Sequence, residues 1–131
     1  MIEEDNDACP CQSGKDYQSC CASYHEGASA PTAEALMRSR YSAYVLHKAA
    51  YLYRSWSAQT RPTKQSLKKS PPLEWLGLEI VRTEYGGALD DSGIVEFIAS
   101  YQDGTQIAQL RETSRFTREN GRWVYVAGEH N

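Results

Sequence analysis

Four cysteines lie between residues 9 and 21, and the chain of 131 residues contains no others. They form two close pairs, Cys9 with Cys11 and Cys20 with Cys21, separated by a short polar loop. Zinc in a structural site binds four sulfur or nitrogen atoms in a tetrahedron, and two cysteine pairs joined by a short loop can supply all four. The spacing therefore predicts one structural Zn²⁺ held by Cys9, Cys11, Cys20 and Cys21.

The residues between the two pairs suit a tight metal-binding turn. Pro10 has a fixed φ and lacks an amide hydrogen, which favours a turn within the first pair. Gly14 can adopt a positive φ without steric cost and so allows the chain to reverse. Lys15 and nearby backbone N–H groups can offset the negative charge that four thiolates leave on a Zn²⁺ site. His25 is a second candidate for the fourth ligand, in place of Cys21.

Disulfide bonds are the alternative use of these cysteines. Four cysteines allow three connectivities, although bridges within either close pair would have poor geometry. Crossed pairings would need an oxidising compartment. Residues 2–7 are acidic and contain no apolar run, so no secretory signal is predicted and a cytoplasmic location is expected. In a reducing compartment, clustered cysteines are typical of metal ligands, and zinc is favoured over disulfides.

The pattern C-x-C-x-S-G-K-x-Y-x-x-C-C at residues 9–21 resembles the SEC-C motif, a zinc-binding knuckle of the SecA translocation ATPase and of assorted bacterial proteins. The resemblance implies that the four cysteines are the ligands. Gln12 stands where glycine is usual, and Asp16 and Gln18 replace residues that are commonly lysine, so this knuckle is less basic than most. The SecA knuckle is implied to contact the SecB chaperone and the ribosome, and a protein partner is therefore expected to dock here.

A helical segment follows a linker at residues 26–31. Thr32 is suited to cap its N-terminus, and Glu34 in the first turn complements the helix dipole. Apolar residues then recur at helical spacing and predict one buried stripe. These are Met37, Tyr41, Tyr44 and Val45.

Two shorter helices are predicted around residues 48–56 and within residues 61–69, with Ser70-Pro71-Pro72 ending the second. From residue 73 onward the apolar period changes to two, which predicts strands. The strongest hairpin signal is Glu119-Asn120-Gly121, which separates a long strand at residues 106–118 from a last strand at residues 122–127. Helices followed by a curled antiparallel sheet predict an α+β fold.

This order of elements resembles the cone-shaped nuclear-transport-factor-2-like (NTF2-like) fold, a cystatin-like α+β architecture. With the knuckle, nearly the whole chain resembles the YchJ-type family of uncharacterised bacterial proteins. The strings that carry the resemblance are LMRSRYSAY at residues 36–44, TRP at 60–62, WLGL at 75–78 and ETSRF at 112–116. The resemblance implies a knuckle unit at residues 1–26 and an NTF2-like unit at residues 27–131.

Within the long strand, alternation places Glu112 on the same face as apolar side chains. A buried carboxylate must be paired, hydrogen-bonded or neutralised. One interpretation gives it a structural partner from the first helix, such as Arg38, Arg40 or Tyr44. The other makes Glu112 an acid/base group in a pocket at the mouth of the cone. The predicted pocket residues are Tyr44, Trp56, Leu110, Glu112 and Phe116, and no catalytic residue is assigned.

Composition argues against nucleic-acid and membrane partners. The formal net charge of −3 argues against a nucleic-acid partner, and the basic run at residues 61–69 is interpreted as a solvated helix face. No apolar stretch is long enough to cross a membrane. The favoured function is a binding adaptor, because a zinc ion with four protein ligands has no open position for a substrate. The alternative is a small dehydratase, isomerase or hydrolase that uses Glu112. The fold resemblance also implies a homodimer formed through the open face of the sheet.

Overall fold

A computed structural model describes residues 8–69 and 73–130 of the chain. The acidic start at residues 2–7 and the helix stop predicted at residues 70–72 lie outside the described residues. None of the helices in the described ranges is both long and apolar enough to cross a membrane.

The helical half of the chain begins inside the cysteine cluster. A 3₁₀ turn at Tyr17–Ser19 leads into α1 at Cys21–His25. The longest helix, α2, spans Ala33–Val45, and the short helices α3 and α4 follow at Ala49–Arg54 and Lys64–Lys68. The segments predicted at residues 48–56 and 61–69 are therefore helical over their central residues.

The ends of two helices are set by threonine caps. The Oγ1 atom of Thr32 accepts a hydrogen bond from the Ala35 amide at 3.0 Å, which confirms the predicted start of α2. Thr63 caps α4 in the same way, with the Ser66 amide at 3.1 Å. In α4, Leu67 is buried while Lys64 and Lys68 remain exposed, as in a helix with one solvated face.

Four antiparallel strands form one sheet in the order β1-β2-β3-β4. The strands are β1 at Glu74–Tyr85, β2 at Ser92–Asp103, β3 at Gln106–Glu119 and β4 at Arg122–His130. The Asn120-Gly121 hairpin has positive φ angles at both residues, 55° and 79°, as a two-residue turn between twisted strands requires. The α+β prediction is confirmed.

The last strand is longer than the alternation pattern predicted. It continues past Ala127 to His130, which pairs with Glu112 of β3. A register shift between Arg115 and Phe116 of β3 accompanies this pairing. Such a bulge changes the local twist of the two strands, and apolar alternation alone does not reveal it.

Helix α2 lies between the cysteine cluster and the sheet. Cys9, Cys11 and Cys21 belong to the same buried cluster as Met37 and Tyr41 of α2 and the inner side chains of the sheet. Because α2 is covered on more than one side, its buried residues extend beyond the predicted stripe. Within that stripe Met37 and Tyr41 are buried, while Tyr44 and Val45 are only half-buried. The buried residues of α2 also include the polar residues Ser39, Arg40 and Ser42.

Candidate metal centre and cone cavity

The four cysteine sulfurs form one compact cluster. All four Sγ atoms lie within 4.8 Å of one another, with 3.6 Å between Cys11 and Cys20 and 3.9 Å between Cys20 and Cys21. A tetrahedron with Zn–S distances of 2.3 Å has S···S edges of about 3.8 Å, so the donor set fits such an ion. All four cysteines are free, and these separations are far longer than the roughly 2.0 Å bond of a disulfide.

The cluster is buried against α2. Cys9, Cys11 and Cys21 are 3%, 0% and 1% exposed, so water has little access to these sulfurs. The Ser42 hydroxyl lies 3.5 Å from Sγ of Cys9 and 3.3 Å from Sγ of Cys21. Nη1 of Arg38 donates to the Cys11 carbonyl at 2.7 Å. The turn around the cysteines is thus attached to one face of α2.

Close contact among the thiols shifts the pKa values of Cys9 and Cys21 in opposite directions. Hydrogen bonds with Cys11 and Cys21 lower the pKa of the Cys9 thiol. Hydrogen bonds with Cys11 and Cys9, followed by burial, raise the pKa of the Cys21 thiol. The raised pKa of Cys21 favours its protonated thiol when no cation is bound. Metal binding would displace the remaining protons.

His25 is not part of the sulfur cluster, and its two ring nitrogens have other partners. Nε2 lies 2.8 Å from the Ser39 carbonyl, which can only accept, so Nε2 carries the hydrogen. Nδ1 then accepts from the Tyr17 hydroxyl at 2.7 Å. Among the described residues, a metal group with four ligands is therefore made by the cysteines, and His25 instead joins the cluster to α2.

Gln12, which departs from the usual SEC-C pattern, also joins the turn to the sheet. Its φ is 63°, a conformation that glycine adopts without cost and other residues rarely adopt. Its side chain contacts the backbone of β1, with 3.4 Å from Nε2 to the Leu76 carbonyl and 3.4 Å from Oε1 to the Leu78 amide. These contacts give the residue at this position a role that glycine could not fill.

A second candidate site is a cavity of about 220 Å³ between α2 and the inner face of the sheet, here called the cone cavity. Its wall is mainly aromatic and apolar, with two charged side chains, Arg40 and Glu112. The other lining residues are Met37, Tyr41, Tyr44, Trp75, Phe97, Ala99, Leu110, Ser114 and Tyr125.

Glu112 is buried, as alternation predicted, but its partners come from the sheet. Oε2 accepts hydrogen bonds from the hydroxyls of Ser114 at 2.7 Å and Tyr125 at 3.2 Å. Oε1 lies 3.3 Å from Nε2 of His130. Burial, and then the neighbouring Glu112 carboxylate, raise the pKa of Tyr125, which keeps its hydroxyl protonated as the donor.

The predicted pairing of Glu112 with Arg38, Arg40 or Tyr44 is therefore wrong, because its carboxylate is hydrogen-bonded to Ser114 and Tyr125 instead. Arg38 extends to the cysteine turn instead, and β4 reaches far enough to place His130 beside Glu112. His130 and Tyr125 could not be assigned to this site from the sequence, because the length of β4 determines their positions.

Arg40, which the sequence suggested as a partner of Glu112, is buried and has other partners. It is 3% exposed, and Nη1 donates to the Leu52 carbonyl at 3.0 Å and to the Ser55 hydroxyl at 2.7 Å. Its Cζ lies 4.8 Å from the ring centroid of Trp56 and 4.6 Å from that of Tyr125. Burial lowers the pKa of this guanidinium.

Three of the five predicted pocket residues line the cone cavity: Tyr44, Leu110 and Glu112. Trp56 does not, because backbone hydrogen bonds of Ser55 and Ser57 to Tyr125 place it beyond the edge of β4, where it borders another groove. Phe116 is 2% exposed and fills the core beside Tyr125. Ser114, which shares the predicted face with Glu112, lines the cavity and donates to its carboxylate.

Together these features define a class of protein: an NTF2-like α+β domain that carries a SEC-C cysteine cluster at its N-terminal end. Residues 32–128 match the family model described as YchJ, middle NTF2-like domain, and residues 6–23 match that of the SEC-C motif. Because the first model covers most of the chain, the protein belongs to the YchJ family, whose curated relatives are named UPF0225 proteins.

The curated relatives are similar to this chain over nearly their whole length. A UPF0225 protein of Streptomyces coelicolor is 49% identical over 122 residues, which cover 92% of this chain and 94% of the relative. One from Chromobacterium violaceum is 46% identical, with 92% and 91% covered.

Two solved structures are also similar. The solution structure of a SEC-C motif containing protein from Rhodopseudomonas palustris has a TM-score of 0.83 and 32% identity, with 92% of this chain and 96% of that chain covered. The crystal structure of a SEC-C motif containing protein from Psychrobacter arcticus has a TM-score of 0.81 and 27% identity, with 96% and 84% covered.

Proposed function

We propose that this protein is a cytoplasmic binding adaptor that holds one structural Zn²⁺, docks a protein partner through its cysteine turn, and binds a small ligand in the cone cavity. The observation that carries the proposal is the closed arrangement of four sulfurs beneath an exposed polar loop. Soft thiolate ligands favour Zn²⁺ over the hard cations Mg²⁺ and Ca²⁺. Four protein ligands leave no position for a substrate, so the ion would act by stabilising the surface around it.

The surface available for docking is the loop over the buried sulfurs. Exposed residues follow one another from Gln12 to Asp16 and continue at Gln18 and Ser19. Only Lys15 and Asp16 among them carry a charge. Such a loop offers hydrogen bonds to a protein surface with little electrostatic attraction, which suits a protein partner better than a nucleic acid.

Native mass spectrometry of the protein, purified from cells without chelator, tests the metal. We expect a mass excess of one zinc less two protons, because one Zn²⁺ replaces two positive charges at a given charge state. A zinc-free mass two or four protons below that of the reduced chain would indicate disulfides and contradict the proposal. Any further bound mass would come from a second ligand, and its removal by Leu110→Trp would assign it to the cone cavity.

Site-specific photocrosslinking in cells tests the docking. A photoreactive residue at Gln18, exposed in the cysteine turn, is compared with one at Thr105, exposed in the β2–β3 turn. We expect a discrete protein adduct from position 18, lost when Cys9→Ser removes a metal ligand. Equal adducts from both positions would show that the knuckle is not the docking surface. An adduct from position 18 that survives Cys9→Ser would show that docking does not depend on the metal.

The enzyme alternative is kept because three polar groups converge on Glu112 in the cone cavity. Ser114, Tyr125 and His130 surround its carboxylate, which gives it the kind of setting that an acid/base group needs. A ligand recovered from the purified protein provides the test. Chemical conversion of that ligand by the wild type, with binding but no conversion by Glu112→Gln, would favour an enzyme over an adaptor.

A further inference from the structure

Arg40 gives the cone cavity hydrogen-bond donors that the described protein residues do not use. A guanidinium has five N–H donors. Nη1 is bonded to Leu52 and Ser55, while Nε and Nη2 make no hydrogen bond to the described residues. None of the ion pairs among those residues includes Arg40. Because Arg40 is 3% exposed and borders the cavity, an occupant of the cavity is the natural acceptor for these donors.

The carboxylate on the cavity wall is already satisfied. Oε2 of Glu112 accepts from the hydroxyls of Ser114 and Tyr125, and Oε1 lies beside His130. An occupant with hydrogen-bond donors would have to compete with these contacts. An occupant with acceptors would supply partners for the N–H groups of Arg40 that are not bonded to the described residues, so the cavity favours acceptors.

The remaining wall sets the size and polarity of the occupant. Met37, Tyr41, Trp75 and Phe97 present rings and an aliphatic chain, and burial raises the pKa of Tyr41 to about 12, so its hydroxyl stays neutral. The cavity volume is about 220 Å³. A cavity of roughly 150 Å³ is sufficient to bind benzene, so this one can hold a single ring and a small polar group.

We infer that the cone cavity binds a small monocarboxylate with an apolar body of about one ring. Its carboxylate would accept two parallel hydrogen bonds from Nε and Nη2 of Arg40, the bidentate geometry that guanidinium groups favour. The apolar body would contact the aromatic wall. The inference rests on the proposed function in one respect, namely that the cone holds a ligand, and it adds the chemical class of that ligand.

The test uses three probes of nearly equal size and different charge: benzoate, benzyl alcohol and benzylamine. Each is titrated into the zinc-loaded full chain, and amide chemical shifts of Ala99, Leu110 and Ser114 are followed by NMR. We expect saturable shifts with benzoate and at least tenfold weaker binding of the other two probes. Charge-assisted hydrogen bonds contribute about 1.5–3 kcal/mol, which corresponds to roughly tenfold to more than hundredfold in affinity.

Variants locate the interaction on Arg40. Arg40→Met should weaken benzoate binding by at least tenfold and leave benzyl alcohol unchanged. Arg115→Met is the matched control, because Arg115 is exposed on β3 and does not line the cavity. Glu112→Gln should bind benzoate as tightly as the wild type or more tightly, because it removes a nearby negative charge.

Several outcomes would overturn the inference. Equal affinity for benzoate and benzyl alcohol would show that the cone holds ligands without selecting carboxylates, so the proposed function would stand and this inference would fail. Tighter binding of benzylamine would assign the ligand contact to Glu112. Benzoate binding that survives both Arg40→Met and the cavity-filling Leu110→Trp would place the site elsewhere. If Arg40→Met does not fold, the comparison of the three probes on the wild type decides.

Discussion

At the scale of single residues, the position of Glu112 depends on a glycine in the neighbouring strand. Gly128 lies opposite Ser114 in the β3–β4 register, and a Cβ at this position would overlap the Glu112 carboxylate. An isolated glycine inside a strand often marks such a close approach. The absence of a side chain at position 128 allows the carboxylate to lie between Tyr125 and His130.

We expect Gly128→Ala to destabilise the protein by roughly 1–3 kcal/mol, the usual cost of overfilling a packed site. Glu112→Ala removes the group that the new methyl would meet. The double variant should therefore be less destabilised than the sum of the two single variants. Urea denaturation of the four proteins measures this coupling. Strictly additive effects would show that Gly128 does not make room for Glu112.

His25 predicts a pH effect on stability. Burial lowers its pKa, so the folded state favours the neutral ring. Its contribution is complete above the unfolded-state pKa of about 6.5 and is lost as the pH falls through the lower folded-state pKa. We expect the free energy of unfolding to decrease from about pH 7 to pH 5, and to decrease less in His25→Phe. Unfolding in urea across this range is the measurement.

A matched control separates this effect from general acid destabilisation. His47 is exposed and has a φ of 60°, a conformation that asparagine tolerates. His47→Asn should retain the wild-type pH dependence. If His47→Asn and His25→Phe changed the slope equally, the burial of His25 would not be its cause.

At the scale of elements, α2 connects the two candidate sites. Ser42 and Arg38 contact the cysteine turn, while Met37, Arg40 and Tyr41 border the cone cavity. The same helix thus contributes side chains to both sites. Loss of the metal should therefore affect the stability of the whole domain as well as the order of the turn.

We expect a structural metal to raise the melting temperature of the domain by several degrees, because each kcal/mol shifts it by about 2–8 °C in domains of this size range. Calorimetry of the zinc-loaded and chelated protein is the measurement. Cys9→Ser should reproduce the chelated value, and added zinc should not restore it. A melting temperature independent of zinc in the wild type would exclude a stabilising metal.

The β1–β2–β3 ladder contains an ion-paired glutamate on the face opposite the helices. Nε of Arg111 donates to Glu96 at 2.7 Å and Nε of Arg82 donates at 2.9 Å. These two contacts, with that of Arg111 the stronger, lower the pKa of the Glu96 carboxyl. Arg82 also contacts Glu84, so the charges alternate along this surface.

The lowered pKa of Glu96 predicts a second dependence of stability on pH, with stability lost toward acid. The contribution of Glu96 is present above the unfolded-state pKa of about 4.3 and is lost as the pH falls through the lower folded-state pKa. We expect Glu96→Gln to be less stable than the wild type at pH 7, and the difference to vanish toward pH 3. Glu79→Gln, at an exposed glutamate of β1, is the control and should not show this convergence.

At the scale of the whole molecule, the expected homodimer stays a prediction. The face of the sheet on which it would form carries the Arg82–Glu96–Arg111 group. Burying these charges in an interface costs desolvation free energy unless the partner subunit supplies further hydrogen bonds to them. We expect any dimer formed there to weaken with Arg82→Gln. Light scattering over a range of protein concentrations is the measurement, and an unchanged dimer in this variant would place the interface elsewhere.

Features that depend on near neighbours in the chain could be predicted without the structure. Spacing identified the four cysteines as one group, threonine chemistry predicted the start of α2, and Asn120-Gly121 predicted the last hairpin. Alternation correctly placed Glu112 inside. Each of these results follows from the conformations open to a few consecutive residues.

The surroundings of those residues became clear from the folded molecule. Apolar alternation did not reveal the register shift beside Phe116 or the extension of β4, which together bring His130 to Glu112. Local periodicity likewise did not reveal that Arg40 is enclosed by Trp56 and Tyr125. These contacts join residues far apart in the chain, so their geometry depends on strand length, register and helix packing together.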